Sequence, residues 1–122
     1  MINVLLVDDN PYDRELIAIM LERAGYEIRQ ARDGREAVAI LDIGPVPDIV
    51  ITDLAMPLMD GPALIRRLRS HPPTADLPIL VVSGDADSHA ADAIAPLVGT
   101  VLDKESVAKT LLPALQRFEM AS

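Results

Sequence analysis

Apolar positions along the chain follow two alternating rhythms, short unbroken runs and longer stretches at helical spacing. Val4-Leu5-Leu6-Val7 is a continuous run that stops at Asp8, the pattern of a strand buried on both faces of a parallel sheet. Asn10-Pro11 then supplies a capping residue with proline at the first helical position. Leu16, Ile17, Met20, Leu21 and Ala24 recur at helical intervals until Gly25. Glu27 to Ala31 makes a more polar strand, suited to a sheet edge, and Gly34 to Ile43 reads as a second helix through Ala37, Val38, Ile40 and Leu41. Ile49-Val50-Ile51-Thr52 is β-branched throughout and ends at Asp53, which describes a central strand. Past Pro57 and Asp60-Gly61 a third helix carries Leu64, Ile65 and Leu68, and Ile79 to Val82 forms a fourth strand. Ser88 to Leu97 predicts a short alanine-rich helix, Thr100 to Leu102 a fifth strand, and Ser106 to about Met120 a last helix. Pro113 should kink that helix or mark its true start.

Strands alternating with helices at this spacing specify an α/β doubly wound parallel sheet, because each parallel crossover needs a helix and crossovers are almost always right-handed. For five strands in 122 residues the natural solution is the flavodoxin-like order 2-1-3-4-5, with five helices on both faces. Such sheets bind ligands outside the carboxyl ends of their strands, at the switch point between strands 1 and 3. Chemistry is therefore expected just after Val7 and Thr52.

Composition narrows what that chemistry can be. The length suits one domain, residues 1–122, with a core that needs no staples, and leaves no room for an output domain after the last helix. No apolar run approaches the ~18 residues of a membrane span, and no basic segment leads into a signal-like stretch, so a cytoplasmic protein without a membrane partner is expected. The absence of cysteine excludes thiolate metal sites and thiol nucleophiles. A formal charge of −8, with Arg66, Arg67 and Arg69 as the densest basic group, argues against direct nucleic-acid binding. Aromatic residues are limited to Tyr12, Tyr26 and Phe118, which provides no stacking platform. Function must rest on carboxylates and hydroxyls.

Asp8, Asp9 and Asp53 fall at the ends of strands 1 and 3, on neighbours ~4.8 Å apart, so three carboxylates share one crevice. At an effective dielectric near 20, two unit charges about 4 Å apart cost roughly 4 kcal/mol, which favours a raised pKa or a bound cation. Oxygen-only ligands open to water suit magnesium better than zinc or a caged calcium. Capping of the first helix is the ordinary role for an acid at a strand-to-helix junction, but Asn10 already holds that place. Ser83 ends strand 4, where its hydroxyl could donate to a phosphoryl oxygen, and Lys104 ends strand 5, from which it could neutralise phosphoryl charge. Alone, each reads as a turn hydroxyl or a solvated lysine. The ordered set on strands 1, 3, 4 and 5 is the specific signal.

Val7-Asp8-Asp9-Asn10, Thr52-Asp53-Leu54-Ala55-Met56-Pro57, Asp60-Gly61, Val82-Ser83-Gly84 and Leu102-Asp103-Lys104 together give a chain that resembles the response-regulator receiver domains of two-component signalling over essentially its whole length. The resemblance implies a phosphorylation-activated switch with Asp53 as phosphoacceptor and Mg2+ as cofactor. It places Asp9, Asp53 and the Ala55 carbonyl on the metal, with Asp8 acting through metal-bound water, and Ser83 and Lys104 on the phosphoryl oxygens. It implies a sensor histidine kinase or histidine phosphotransfer protein as donor, small acyl phosphates as substitutes, and no activity beyond self-catalysed phosphoryl acceptance and loss. The response expected is a movement of Ser83 and its loop that reshapes the face made by helix 4, strand 5 and helix 5, also a candidate homodimer surface.

The chain departs from the family's pattern in several places. Val101 stands where receivers usually carry an aromatic ring that turns inward, so the loop from Gly84 to Ser88 is expected to transmit instead. Glu105 replaces the usual cis proline, and a trans bond with a rearranged loop is expected there. Ala55 and Asp85 occupy positions that tune water access and hence the lifetime of the phosphorylated state. His71 and His89 read as ordinary surface histidines, and Met56 and Met59 as loop packing. An aspartate-nucleophile phosphohydrolase would need a second acid where Ala55 stands, and a nucleotide-binding protein would need a glycine-rich loop after strand 1. A receiver-like module that binds partners without phosphorylation is the remaining alternative.

Overall fold

The computed structural model describes residues 2–84 and 89–121. The strands are β1 (Asn3–Val7), β2 (Glu27–Ala31), β3 (Ile49–Thr52), β4 (Ile79–Ser83) and β5 (Thr100–Asp103), all parallel in the order β2-β1-β3-β4-β5. The helices are α1 (Pro11–Arg23), α2 (Gly34–Ile43), α3 (Gly61–Arg69), α4 (His89–Ile94) and α5 (Val107–Ala121). This is the flavodoxin-like topology that the alternation of strands and helices predicts.

The period of two in the strands divides the core. Leu5, Val7, Val50, Ile79 and Val81 meet Ala37 of α2, Leu64, Ile65 and Leu68 of α3, and Ile94 of α4 on one face. Val4, Leu6, Ile49, Ile51, Leu80 and Val82 meet Ile17 and Leu21 of α1 and Leu111 and Leu115 of α5 on the other. Both sides of β1, β3 and β4 are thus covered, which is why their sequences read as unbroken apolar runs. The more polar β2 lies at an edge.

The helix starts follow side-chain caps. Asn10 accepts from the amides of Tyr12 and Asp13, Asp33 from that of Glu36, and Asp60 from that of Ala63. At the other end of α3, Arg69 donates to the carbonyls of Thr74, Ala75, Leu77 and Leu97, a fan only a guanidinium can supply.

Several boundaries differ from expectation. β4 and β5 each extend one residue further, through Ser83 and Asp103, because the parallel ladder pairs these two residues. The helix expected from Ser88 to Leu97 is α4 to Ile94 followed by a 3-10 turn over Ala95–Leu97, where Pro96 contributes no amide; its expected start, Ser88, lies outside the described residues, as do Asp85 and the rest of 85–88. The last helix begins at Val107, not Ser106, after a 3-10 turn over Lys104–Ser106. Pro113 does not mark its start, since helix runs on both sides of this exposed residue.

Candidate functional site

The ladder continues past β1 and β3 by one bond each, from Asp8 N to the Ala31 carbonyl at 3.1 Å and from Asp53 N to the Val7 carbonyl at 3.0 Å. These bonds hold the two acids at the carboxyl edge of the sheet, side by side. Asp8 is 2% exposed and Asp53 7% exposed, while Asp9 faces solvent. One ligand oxygen from each of Asp8, Asp9 and Asp53 lies within 4.8 Å of the others.

Backbone donors fix the buried pair. Asp8 Oδ1 accepts from the Asn10 amide at 3.0 Å, and Asp53 Oδ1 accepts from the Leu54 amide at 2.7 Å. The Asp53 carbonyl takes the Thr52 hydroxyl at 2.9 Å, and the Leu54 carbonyl takes the Gly61 amide at 2.8 Å, which ties the loop after β3 to the start of α3. Met59, within that loop, meets the first residue of α2, its carbonyl receiving the Gly34 amide at 3.1 Å.

Lys104 reaches into this edge from the end of β5. Its Nζ lies 2.9 Å from Asp53 Oδ2, 3.0 Å from Asp8 Oδ2 and 2.9 Å from Asp13 Oδ2. Burial weakens the ammonium, but the carboxylates of Asp53, Asp13 and Asp8 outweigh it and hold its pKa above the ordinary lysine range. For Asp8 the balance runs the other way: burial raises its pKa, Asn10 and Lys104 pull it back in part, and the neighbouring Asp53 charge pushes it up again. One ammonium serves more carboxylates than it can neutralise.

Ser83 is buried at the end of β4, one strand from Asp53, and Gly84 beside it is exposed with open space where a Cβ would stand. Ala55 is exposed in the loop after Asp53. Val101 packs against the core face that holds α2, α3 and α4. The Lys104–Glu105 peptide is trans, and the Glu105 amide donates to Asp103 Oδ1 at 2.9 Å. A proline would forfeit that bond. His71 and His89 are exposed, and Met56 and Met59 pack partly buried against the core.

Two participants escape sequence reasoning. Asp13 reads as a favourable acid in the first turn of α1, and nothing local says that it meets Lys104 from 91 residues away. Arg14 donates to the Asp8 carbonyl at 2.7 Å and to Gln30 at 3.2 Å, bracing the β1–α1 corner. A cavity of about 320 Å3 lined by Asn3, Glu27, Arg29 and Pro45 sits at the opposite, amino-terminal edge of β1 and β2, remote from all of these groups.

A family model described as the response regulator receiver domain matches residues 4–116. The chain belongs to the response regulator receiver family. Among curated relatives of this receiver, the DNA-binding dual master transcriptional regulator RpaA of Synechocystis is 40% identical over 80 residues, covering 66% of this chain and 33% of that protein. The sensor kinase CckA of Brucella abortus is 42% identical over 86 residues, covering 69% of this chain and 9% of that protein. The receiver thus spans a third of the one relative and a tenth or less of the other. The crystal structure of response regulator TrrA from Thermotoga maritima, in complex with Mg2+ and BeF, superposes with a TM-score of 0.85 at 27% identity, covering 96% of this chain and 98% of that one.

Proposed function

We propose that this receiver is a magnesium-dependent phosphorylation switch in which the Asp53 carboxylate accepts a phosphoryl group from a histidine of a sensor kinase or phosphotransfer protein. The observation that carries the reading is the meeting of Asp53 with Lys104 inside an acidic trio at the sheet's switch point. An Asp53 oxygen bonds to phosphorus as the P–N bond to the donor imidazole breaks, and the imidazole keeps the electron pair and takes a proton from solvent. The Leu54 amide holds the Asp53 carboxylate in one orientation. Lys104 supplies positive charge for the phosphoryl oxygens, and Ser83 a hydroxyl donor. Phosphoryl acceptance and loss are self-catalysed here, without turnover of a separate substrate.

The donor set fits a hard divalent cation. It is all oxygen, it includes one exposed and two buried carboxylates, and its charge exceeds what Lys104 offsets. Asp9, Asp53 and the Ala55 carbonyl would hold Mg2+, with Asp8 acting through bound water; the ion supplies charge shielding between the acids and an incoming phosphoryl group. The likeness to a regulator crystallised with Mg2+ and BeF, and to a sensor kinase, supports both the cofactor and the class of partner. Among the described residues no helix is long and apolar enough to cross a membrane, which agrees with a cytoplasmic place of action. With residues 1–122 acting as one receiver unit, the downstream partner would meet the α4, β5, α5 face, which could also pair two copies. Ala55 and Asp85 would set the lifetime of the acyl phosphate.

The test is beryllofluoride titration with and without magnesium, read by amide spectra of wild type and Asp53→Asn. Expected are shifts that need both magnesium and Asp53 and that spread from the crevice to α4. Shifts confined to the crevice would mean an acceptor uncoupled from output. No binding would overturn the reading in favour of a phosphorylation-independent module.

A further inference from the structure

Lys104 has three N–H donors and three carboxylate partners, Asp8 at 3.0 Å and Asp13 and Asp53 at 2.9 Å each. Two of those partners belong to the trio whose oxygens converge for a cation; Asp13 does not. It stands instead in the first turn of α1, its side chain 41% exposed against 18% for Lys104. Loading the site changes the other two partners, since Asp53 would carry the phosphoryl group and Asp8 would face a metal. Asp13 alone keeps the same claim on Lys104 before and after.

We propose that Asp13 is a positioning residue that holds the Lys104 ammonium in competition with a phosphoryl group on Asp53. The inference rests on the reading of Asp53 as phosphoacceptor. An ammonium is a compact point charge, and its hydrogen bonds and field are divided among the anions around it. A carboxylate at contact distance therefore draws Lys104 away from any oxygen that arrives on Asp53, and restrains how firmly the loaded state is held. Because the Asp13 carboxylate is partly exposed, the restraint has the size of a solvent-screened ion pair, about two- to fivefold in affinity. The contact also explains why an acid is useful at this point of α1 beyond its favourable place in the first turn, where Asn10 already provides the cap.

The experiment is a double-mutant cycle on the whole chain, with beryllofluoride affinity measured calorimetrically at saturating magnesium for wild type, Asp13→Asn, Lys104→Ala and the double variant. Asp13→Ala serves as a second variant at the same place, and the 13C shift of the Lys104 ε-carbon reports whether the ammonium has changed partners. Expected are about two- to fivefold tighter binding in both Asp13 variants, a shifted Lys104 signal, and no effect of Asp13→Asn in the Lys104→Ala background. Unchanged or weaker binding in the Asp13 variants overturns the proposal, and so does an effect that survives loss of Lys104, since it would then come from direct repulsion. Failure of the wild-type chain to bind beryllofluoride removes the phosphoacceptor reading and the proposal with it, an outcome distinct from wild-type binding that Asp13 does not modulate.

Discussion

Lys104 is the residue on which the site's electrostatics turn. Without it, Asp8 at 2% exposure and Asp53 at 7% would face each other with no cation between them, and a buried charge stripped of its partner is far costlier than the intact pair is favourable. Lys104→Ala should therefore lower stability at neutral pH by about 2–4 kcal/mol in the presence of a chelator, and millimolar magnesium should restore a larger share in the variant than in wild type. Urea unfolding with and without magnesium measures both, and an unchanged midpoint would mean that the carboxylates find relief elsewhere. At this scale Asp8, Asp9, Asp53, Ser83 and Lys104 were all legible as strand-end residues. Asp13 was not, because its partner is set by where β5 ends relative to α1, a relation that no local pattern encodes.

Among the elements, the loop between β3 and α3 is closely packed around Gly61. The Gly61 amide bonds the Leu54 carbonyl at 2.8 Å, and a Cβ at Gly61 would overlap the Asp53 carbonyl oxygen and lie 2.6 Å from the Leu54 Cα. Those are backbone atoms of the acceptor loop and cannot swing aside. Gly61→Ala should cost about 1–3 kcal/mol in denaturant unfolding and should also weaken magnesium-dependent beryllofluoride binding, because the strain is relieved only by moving Asp53. Loss of stability with undiminished binding would show that the loop relaxes away from the acid instead. The elements β1, α1, β2, α2 and β3 appear within a residue or so of where their patterns place them. The weaker α4 and α5 boundaries were set by turns. Asp103 captures the Glu105 amide and so delays α5 by a 3-10 turn, and flanking residues carry α5 through Pro113 because Leu111, Ala114 and Leu115 bury the face beneath it.

Across the whole molecule, the two core clusters leave the carboxyl edge of the sheet free for chemistry, and contacts far apart in sequence close the ends. One of these is the Tyr26 hydroxyl, just before β2, which donates to the Glu119 carboxylate on α5. Burial first, then the Glu119 hydrogen bond and charge, push the Tyr26 pKa up from 10.0 to about 12. The folded state therefore holds this proton more tightly than the unfolded chain does. The contribution is fully present below pH 10.0, the ordinary value, and is lost as pH rises from there through about 12. Subtracting the stability curve of Tyr26→Phe from that of wild type should leave a decline confined to this alkaline window, whereas a flat difference would mean that neither burial nor Glu119 raises the tyrosine's pKa.

The chain's own pattern of apolar runs and helical spacings was enough to specify five parallel strands, their order, and an acidic edge at the switch point, because period and crossover handedness are local or nearly local properties. The partners of Lys104 and the union of Tyr26 with Glu119 were decided only when the sheet brought distant segments together. Hydrogen bonds and ion pairs depend on ångström-scale placement, and that placement is a property of the packed layers, not of any stretch of sequence.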